Sequence, residues 1–357
     1  MIRPRITTRP RSEPTLDVIV PAFNAADTLR PCLHALFRAG AKHEDTYVVN
    51  DRSTDDTEAI ATALGVRVVT PPHNLGAAAA RNLGVAGGTG NVLVFVDADV
   101  CVAPDALNRI RQRFEDEPDL VAVFGSYDDE PAASGTVSRV RNLLHHYVHQ
   151  MGAREATSFW TGLGAVRRDA FETVGGFAPD QRMMEDVRLG NALWREGYRI
   201  ALDPTIQGKH LKHWSLLGMA KTDLLDRAIP WSQLLLGPAA DVPAGLNVSR
   251  EGKLSVTFTS LFALCATPAV PLVLALPALA ALLALCAASA LAAMVWINRS
   301  FLQLVHRKLG TGASLKAIGV LAVHFLVSAL GYAWVRLGLS RLNRKARSLP
   351  DRKRSQA

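Results

Sequence analysis

The apolar run from Asn91 to Val96 stops at two carboxylates, Asp97 and Asp99, spaced i, i+2. A short run rich in Val and Phe, with no helical period, reads as a buried strand. Two acids at its end put charge at the C-terminal edge of a sheet, where open α/β folds keep their ligand crevice. Hard oxygen donors suit Mg2+ or Mn2+, ions that reach a protein through a few carboxylates plus substrate phosphates. Turns are also rich in Asp, so the pair alone could equally end a strand and open a turn. Three other stretches bear on that choice. Pro21 to Asn24 closes a first apolar strand in a tight turn. Asp51 closes a second and can accept from a base N–H or a ribose hydroxyl. Gly76 and the alanines after it let backbone and a helix N-terminus approach a phosphate, and Arg81 can neutralise one bidentately. Each is weak alone, but together they fall in order on successive strands.

Such residues need elements that carry them to one edge. Leu16 to Val20 predicts a strand ended by Pro21. Asn24 to Asp27 supplies caps for a helix with Leu29, Leu33, Leu36 and Phe37 on one face, stopping at Gly40. Thr46 to Asn50 predicts a second strand, and the polar turn Asp51 to Asp56 a helix reaching about Leu64. Val66 to Val69 predicts a third strand, and His73 to Gly90 a loop and an Ala-rich helix before the strand with the two acids. This β-α-β-α-β-α-β order predicts a parallel sheet covered by helices. Further on, helices are expected after Pro104, over Val137 to Met151 and over Glu185 to Glu196, with strands at Leu120 to Gly125 and Arg199 to Leu202.

In this order the chain resembles the family 2 glycosyltransferases, which have the GT-A fold. The resemblance rests on Pro21 to Asn24, Asp51 to Asp55, Asn74 to Gly84 and Asp97 to Asp99. It extends through Trp160 to Arg168, Gly175-Gly176-Phe177, Glu185-Asp186 and Gly197 to Ile200, covering residues 16–215. Asn50 stands where that family usually has a first acid, which leaves Asp51 as the nucleobase or ribose contact. The resemblance implies an α/β GT-A domain that binds a nucleotide-diphosphate sugar on a mixed, mostly parallel sheet with helices on both faces. On the donor side it implies Pro21, Asn24, Asp51, Gly76, Arg81 and Asp97. For Mg2+ or Mn2+ it implies Asp99 with Asp97, and His210 as a further ligand. Trp160, Thr161 and Gly162 fall on the acceptor side. Asp186, the second acid of the pair with Glu185, falls where the family has its general base. A carboxylate near a donor sugar can take the proton of an acceptor hydroxyl as it attacks the anomeric carbon, although acids also favour a helix's first turn for capping alone. Near His210, Lys209, Lys212 and His213 could instead form a membrane-facing or phosphate-binding strip. His145, His146 and His149, at helical spacing, read as a solvated or acceptor-lining face. The Gln-x-x-Arg-Trp signature of processive synthases is absent.

At 357 residues and net charge +8, with much of the excess at the two ends (Arg3 to Arg11 and Arg341 to Arg354), the basic balance reads first as membrane-surface anchoring. Nucleic-acid binding would need a basic face with interleaved aromatics, which the central domain lacks, so no nucleic-acid partner is expected. The N-terminus has no apolar stretch, so no cleaved signal peptide is expected. Cys32, Cys101, Cys265 and Cys286 lack metal spacing and read as free thiols. From Leu254 to Ile297 there is no charge, about twice the ~20 residues that cross a bilayer. Pro268, Pro271 and Pro277 are expected around the bend between two spans, and a third stretch is broken only by His324. Asn298 to Lys316 reads as a basic interfacial segment, and Trp214 to Trp231 as an amphipathic helix that suits either a bilayer surface or the soluble domain. The resulting division is a basic N-terminus (1–15), a catalytic domain (16–213), a linker (214–253), spans near 254–273, 277–297 and 317–337, and a basic tail (339–357). A cytoplasmic catalytic domain with three spans would leave that tail outside, against the positive-inside tendency, so either the third stretch does not cross fully or the tail is an exception. The implied function is a multi-pass membrane, metal-assisted inverting glycosyltransferase with a lipid-linked or glycan acceptor. A non-catalytic scaffold or sugar-nucleotide sensor on the same fold is the alternative. A nucleotidyltransferase would want a Gly-rich, basic loop after the first strand, which Pro21 to Asn24 is not.

Overall fold

Val, Ile and Phe fill both faces of the central strands, as a sheet covered by helices on each side requires. The computed structural model describes residues 13–179, 183–237 and 249–339, so the basic runs at the two chain ends and residues 238–248 of the expected linker lie outside the described residues. The chain divides into two compact units, the first ending at Trp214 and the second starting at Ser215.

The first unit begins β1 (Leu16–Ala22), α1 (Ala26–Arg38), β2 (Thr46–Asn50), α2 (Thr57–Ala63), β3 (Arg67–Val69), α3 (Ala77–Ala86) and β4 (Val92–Val96). There follow β5 (Val100–Val102), α4 (Ala106–Asp116), β6 (Leu120–Tyr127), α5 (Thr136–Met151), β7 (Leu163–Arg167), α6 (Arg168–Thr173), α7 (Glu185–Arg195) and β8 (Arg199–His210). Among the described residues these strands form one eight-stranded sheet in the order β3-β2-β1-β4-β7-β6-β8-β5. The pairs from β3 to β4 are parallel, as expected from the alternation of strands and helices. β7 then inserts antiparallel to both β4 and β6. Neither β7 nor β5 is visible in the sequence pattern: Leu163 to Arg167 carries Gly and Ala where a strand signal wants branched residues, and β5 is only three residues long. β8 is also longer than expected. It pairs parallel with β6, and its last residues, Gly208 to His210, pair antiparallel with β5.

Pro21 lies inside β1 instead of ending it. The Ala22 carbonyl accepts from Asp51 N–H, so Ala22 faces β2 and Pro21 faces the β4 side. There the β1–β4 register has already ended at Ile19↔Phe95, and the missing Pro N–H costs no ladder bond. The core splits across the sheet. Val18, Val20, Val94 and Val96 pack on Leu29, Leu33 and Leu36 of α1. Ile19, Leu93 and Phe95 face Phe159, Phe171, Phe177, Leu189 and Leu193. Phe95 is fully buried, with the Phe177 ring edge-on at 5.0 Å. Burying such a side chain contributes about 1.5–3 kcal/mol, and this fixes the strand that ends at Asp97.

The second unit opens with α8 (Leu216–Thr222), a π-helical turn (Asp223–Ala228) and α9 (Ile229–Leu236). Ser215 caps it by accepting from Gly218 N–H at 3.0 Å. α10 (Arg250–Leu272), α11 (Pro277–Ile297) and α13 (Thr311–Arg336) are long and apolar enough to cross a bilayer, and α12 (Arg299–Leu309) joins the last two. Pro268 and Pro271 fall inside α10, not in the bend, and Pro277 opens α11. Leu264, Leu274, Leu282 and Leu285 stand exposed, a pattern that fits a lipid solvent better than water. α12 buries Phe301 and Val305 and ends in His306, Arg307 and Lys308. His324, the polar break in the third stretch, sets its Nδ1 2.8 Å from Asp223 Oδ2. That bond and the close pass of Gly331 over Ala228 join the amphipathic segment to α13 within this unit.

Candidate active site

Asp97 and Asp99 follow the last buried residue of β4. The turn is closed by Val100 N–H donating to the Asp97 carbonyl at 2.9 Å, and Asp97 N–H reaches the Gly162 carbonyl. Because β5 runs straight on from this turn and pairs with the end of β8, His210 lies opposite Val100. Its Nε2 is 3.4 Å from Asp99 Oδ2. Burial opposes the ionised form of Asp99, but the His210 hydrogen bond and charge outweigh it and hold the carboxyl below its usual range. Among the described residues no group of three or more His, Cys, Asp or Glu side chains converges into a metal cage. One carboxylate and one imidazole converge instead, with Asp97 beside them. This donor set fits an ion that completes its sphere with phosphate oxygens and water, as Mg2+ and Mn2+ do.

Arg81, on α3, is 4% exposed. Its Nη2 donates to Asp97 Oδ1 at 2.8 Å and its Nη1 to Glu185 Oε1 at 2.7 Å. Both ends of its fork are held by carboxylates, an internal clamp that the sequence does not announce. The clamp joins the turn after β4 to the start of α7. Asn82, its neighbour, holds the other side, donating from Nδ2 to the Phe177 carbonyl and accepting Phe177 N–H at Oδ1. Asp186, next to Glu185, accepts from Val187 N–H. Burial, then the adjacent Glu185 charge, push its pKa up to about 7, against the pull of Arg81. A carboxylate poised there takes and releases protons at neutral pH. Asp97 is also raised, by burial first, with Arg81 offsetting only part.

Residues 17–175 match the family described as Glycosyl transferase family 2. These residues form a family 2 glycosyltransferase domain. An uncharacterised glycosyltransferase of Haemophilus influenzae is 24% identical over 48% of this chain and 59% of its own length. The pre-mycofactocin glycosyltransferase of Mycobacterium tuberculosis is 30% identical over 55% of this chain and 43% of its own. The chain thus spans about half the length of these two relatives. Among solved structures, the mannosyltransferase PcManGT of Pyrobaculum calidifontis, in complex with GDP-Man and Mn2+, superposes with a TM-score of 0.54 at 20% identity, covering 91% of this chain and 88% of that one. At that identity the likeness shows the GT-A fold.

Within the glycosyltransferase domain the remaining expected residues take differing places. Asp51 is 4% exposed, and its two oxygens accept Leu75 N–H at 2.7 Å and Gly76 N–H at 2.8 Å. It shapes the loop before α3 through that backbone clamp, which leaves each carboxylate oxygen a further acceptor site. Gly76 needs to be Gly because its φ is +82°. Asn24, also at positive φ, accepts Thr54 N–H, while Ser53, Thr57 and Asp55 accept the amides of Asn24, Ala25 and Ala26. The cap of α1 thus comes from the next turn, not from residues 24–27 themselves. Trp160 and Thr161 precede Gly162 in the turn beside Asp97. A Cβ on Gly162 would meet the Trp160 indole at 2.3 Å, so small size there is a packing requirement.

Sequence reasoning did not single out Tyr127. It ends β6 and stacks face to face on His210, with centroids 4.3 Å apart and planes at 10°. His145, His149 and Trp160 continue the aromatic wall behind it. The solvated face expected for these histidines is not found at His149, which is buried and donates from Nδ1 to the Gly125 carbonyl. Burial brings its pKa down to about 4 and holds His145 well below the usual range, so the wall is uncharged at neutral pH.

Gly190 sets the depth of α7. A Cβ there would lie 2.3 Å from Phe159 N and Ser158 C, both backbone. Gly190→Ala is expected to cost about 1–3 kcal/mol of stability by overpacking. It should also slow turnover, because Asp186 moves with the helix. Denaturant titration and initial rates check both, and a variant with wild-type stability would show that α7 can shift freely.

Proposed function

We propose that this chain is a membrane-attached inverting glycosyltransferase that moves a sugar from a nucleotide-diphosphate sugar to a hydroxyl of a lipid-linked or glycan acceptor. The observation that carries this reading is the Arg81 clamp. It ties Asp97, beside the candidate metal ligand Asp99, to Glu185, beside the raised carboxyl of Asp186, with Glu185 lying 104 residues along the chain from Arg81. Leaving-group and proton-accepting groups then share one cleft. In the single displacement, the acceptor oxygen bonds to the anomeric carbon as the bond from that carbon to the phosphate oxygen breaks. The electron pair leaves on the diphosphate, and the acceptor's proton passes to Asp186. Mg2+ or Mn2+, when bound, supplies charge neutralisation for the leaving diphosphate. Asp99 and His210 would hold it, with the flat face of Tyr127 fixing the imidazole plane. Arg81 keeps Asp97 and Glu185 oriented and excludes water from between them.

The membrane part of the proposal draws on α10, α11 and α13, whose apolar exposed surfaces suit a multi-pass anchor with the catalytic domain on the cytoplasmic side. An acceptor carried by a lipid would meet the enzyme at that surface. The test is sugar transfer from radiolabelled UDP-, GDP- and dTDP-sugars to polyprenyl phosphate in vesicles, with and without Mn2+. Label appearing in the lipid phase supports the reading; no transfer and no donor hydrolysis with any of them sinks it, in favour of a scaffold. Asp99→Ala should weaken Mn2+-dependent nucleotide binding by at least about tenfold, since even outer-shell changes at metal sites cost 10–100-fold. Unchanged binding by calorimetry would remove Asp99 from the metal site.

A further inference from the structure

A leaving diphosphate carries more negative charge than one divalent ion cancels, and the cation expected for it, Arg81, is turned inward between two carboxylates. Another cation is built into the same rim. The strand that delivers His210 continues past it, and Leu211 N–H donates to the Asp99 carbonyl at 2.8 Å. Residue 212 is thereby held immediately beside the metal-ligand pair. Lys212 is exposed, and its Nζ stands 4.6 Å from the centre of the Trp214 ring. The Trp214 backbone is pinned: its main-chain N–H donates to Ser138 Oγ at 2.7 Å, and the same hydroxyl donates back to the Trp214 carbonyl.

Two lysines flank His210 and differ in one respect. Lys209 Nζ pairs with Asp128 at 3.1 Å and Glu130 at 3.4 Å, so its charge is cancelled locally. Lys212 has no carboxylate within ion-pair distance among the described residues. An aromatic face orients an ammonium group without neutralising it. The arrangement therefore presents a positioned positive charge that forms no direct ion pair and acts on Asp99 only through space. We propose that Lys212, carried on the Trp214 ring, binds the diphosphate of the donor. This rests on the reading of the cleft as a nucleotide-diphosphate-sugar site and adds a cation there besides Arg81, whose fork is held by two carboxylates.

The experiment is calorimetry on the full chain in detergent, with Mn2+ and three probes: inorganic pyrophosphate, UDP or GDP, and the matching monophosphate. Lys212→Met should weaken pyrophosphate and the diphosphate by about tenfold or more, the worth of one hydrogen bond to a charged group. The monophosphate should bind as it does to the wild type, and Lys212→Arg should retain most of the diphosphate affinity. Trp214→Leu should lose about two- to fivefold, the scale of an exposed cation–π contact. Diphosphate binding by Lys212→Met equal to wild type, alongside loss in Asp99→Ala, overturns the role of Lys212 and leaves the donor site standing. Failure of the wild type to bind any of the three probes overturns the donor site and the proposal together.

Discussion

Asp186→Asn is expected to lower turnover by about 10²–10⁴-fold, the range that a positioned general base supplies, while donor binding stays near wild type. The amide keeps the size of the side chain and its oxygen can still accept Val187 N–H, so the start of α7 should hold. What it loses is the ability to take a proton. Because the wild-type carboxyl titrates at about 7, kcat/KM should rise with pH through a limb near that value, as Asp186 ionises. The limb should vanish in Asp186→Asn. Glu185→Gln supplies the sharper control. After burial, the charge of Glu185 is the next largest cause raising Asp186, so its removal should move the limb to lower pH. The sign on stability runs the other way from an ordinary ion-paired acid. A carboxyl whose folded pKa lies above its unfolded value of 3.8 loses stability as pH rises from about 4 through 7, so Asp186→Asn should gain on the wild type above pH 7 in thermal melts. Near-normal transfer by Asp186→Asn would remove it from the mechanism.

How far the residues alone lead depends on whether a signal is local. The first four strands and the helices between them are written in apolar runs and caps, and they stand where the sequence puts them. So does the junction of β4 with Asp97 and Asp99, because an apolar strand that stops at charge has one place to stop. β7 and β5 are not legible: one is diluted by Gly164 and Ala165, the other is three residues long, and each exists because longer partners offer it a ladder. The site shows the same division. Residue types mark out a cleft rich in Asp, Arg and His, but not who holds whom. The clamp on Arg81 is not legible in sequence because its two partners lie in other segments, one of them 104 residues away. Asp51 reads in sequence only as an acid after a strand, and the structure adds that its oxygens hold the amides of Leu75 and Gly76. Tyr127 has no sequence signal beyond ending a strand, since what matters is a His on another strand stacked against it. The histidines of α5 show a related limit: helical spacing says they share a face, and only packing decides between solvated and lining, with His149 buried and His145 and His146 half-buried.

Arg81→Met should destabilise the domain by about 3–5 kcal/mol at pH 8, the usual result of removing one partner from buried charges. Arg81 is nearly fully buried, while the side chains it pairs with are 34% exposed at Asp97 and 12% at Glu185. Exposure at Asp97 screens part of the cost and pulls the expectation toward the lower end. The loss should steepen with pH in the direction the wild type already follows through Asp97 and Asp186. Without the guanidinium, which offsets part of the burial of Asp97, that carboxyl's folded pKa rises further above its unfolded value, so the variant is least affected in acid and loses stability as pH climbs. Thermal melts at pH 5 and pH 8 should therefore diverge more for Arg81→Met than for the wild type. Arg81→Lys should recover only part, because a single ammonium cannot replace a fork that reaches two carboxylates on different elements. Adding Glu185→Gln to Arg81→Met should restore about 0.5–3 kcal/mol relative to additivity, because it deletes one of the two stranded charges. Equal melting of Arg81→Met and wild type at pH 8 would mean that the two carboxylates relax into water. The clamp between the Asp97–Asp99 turn and the start of α7 would then be incidental, and the proposal of one shared cleft would lose its main support.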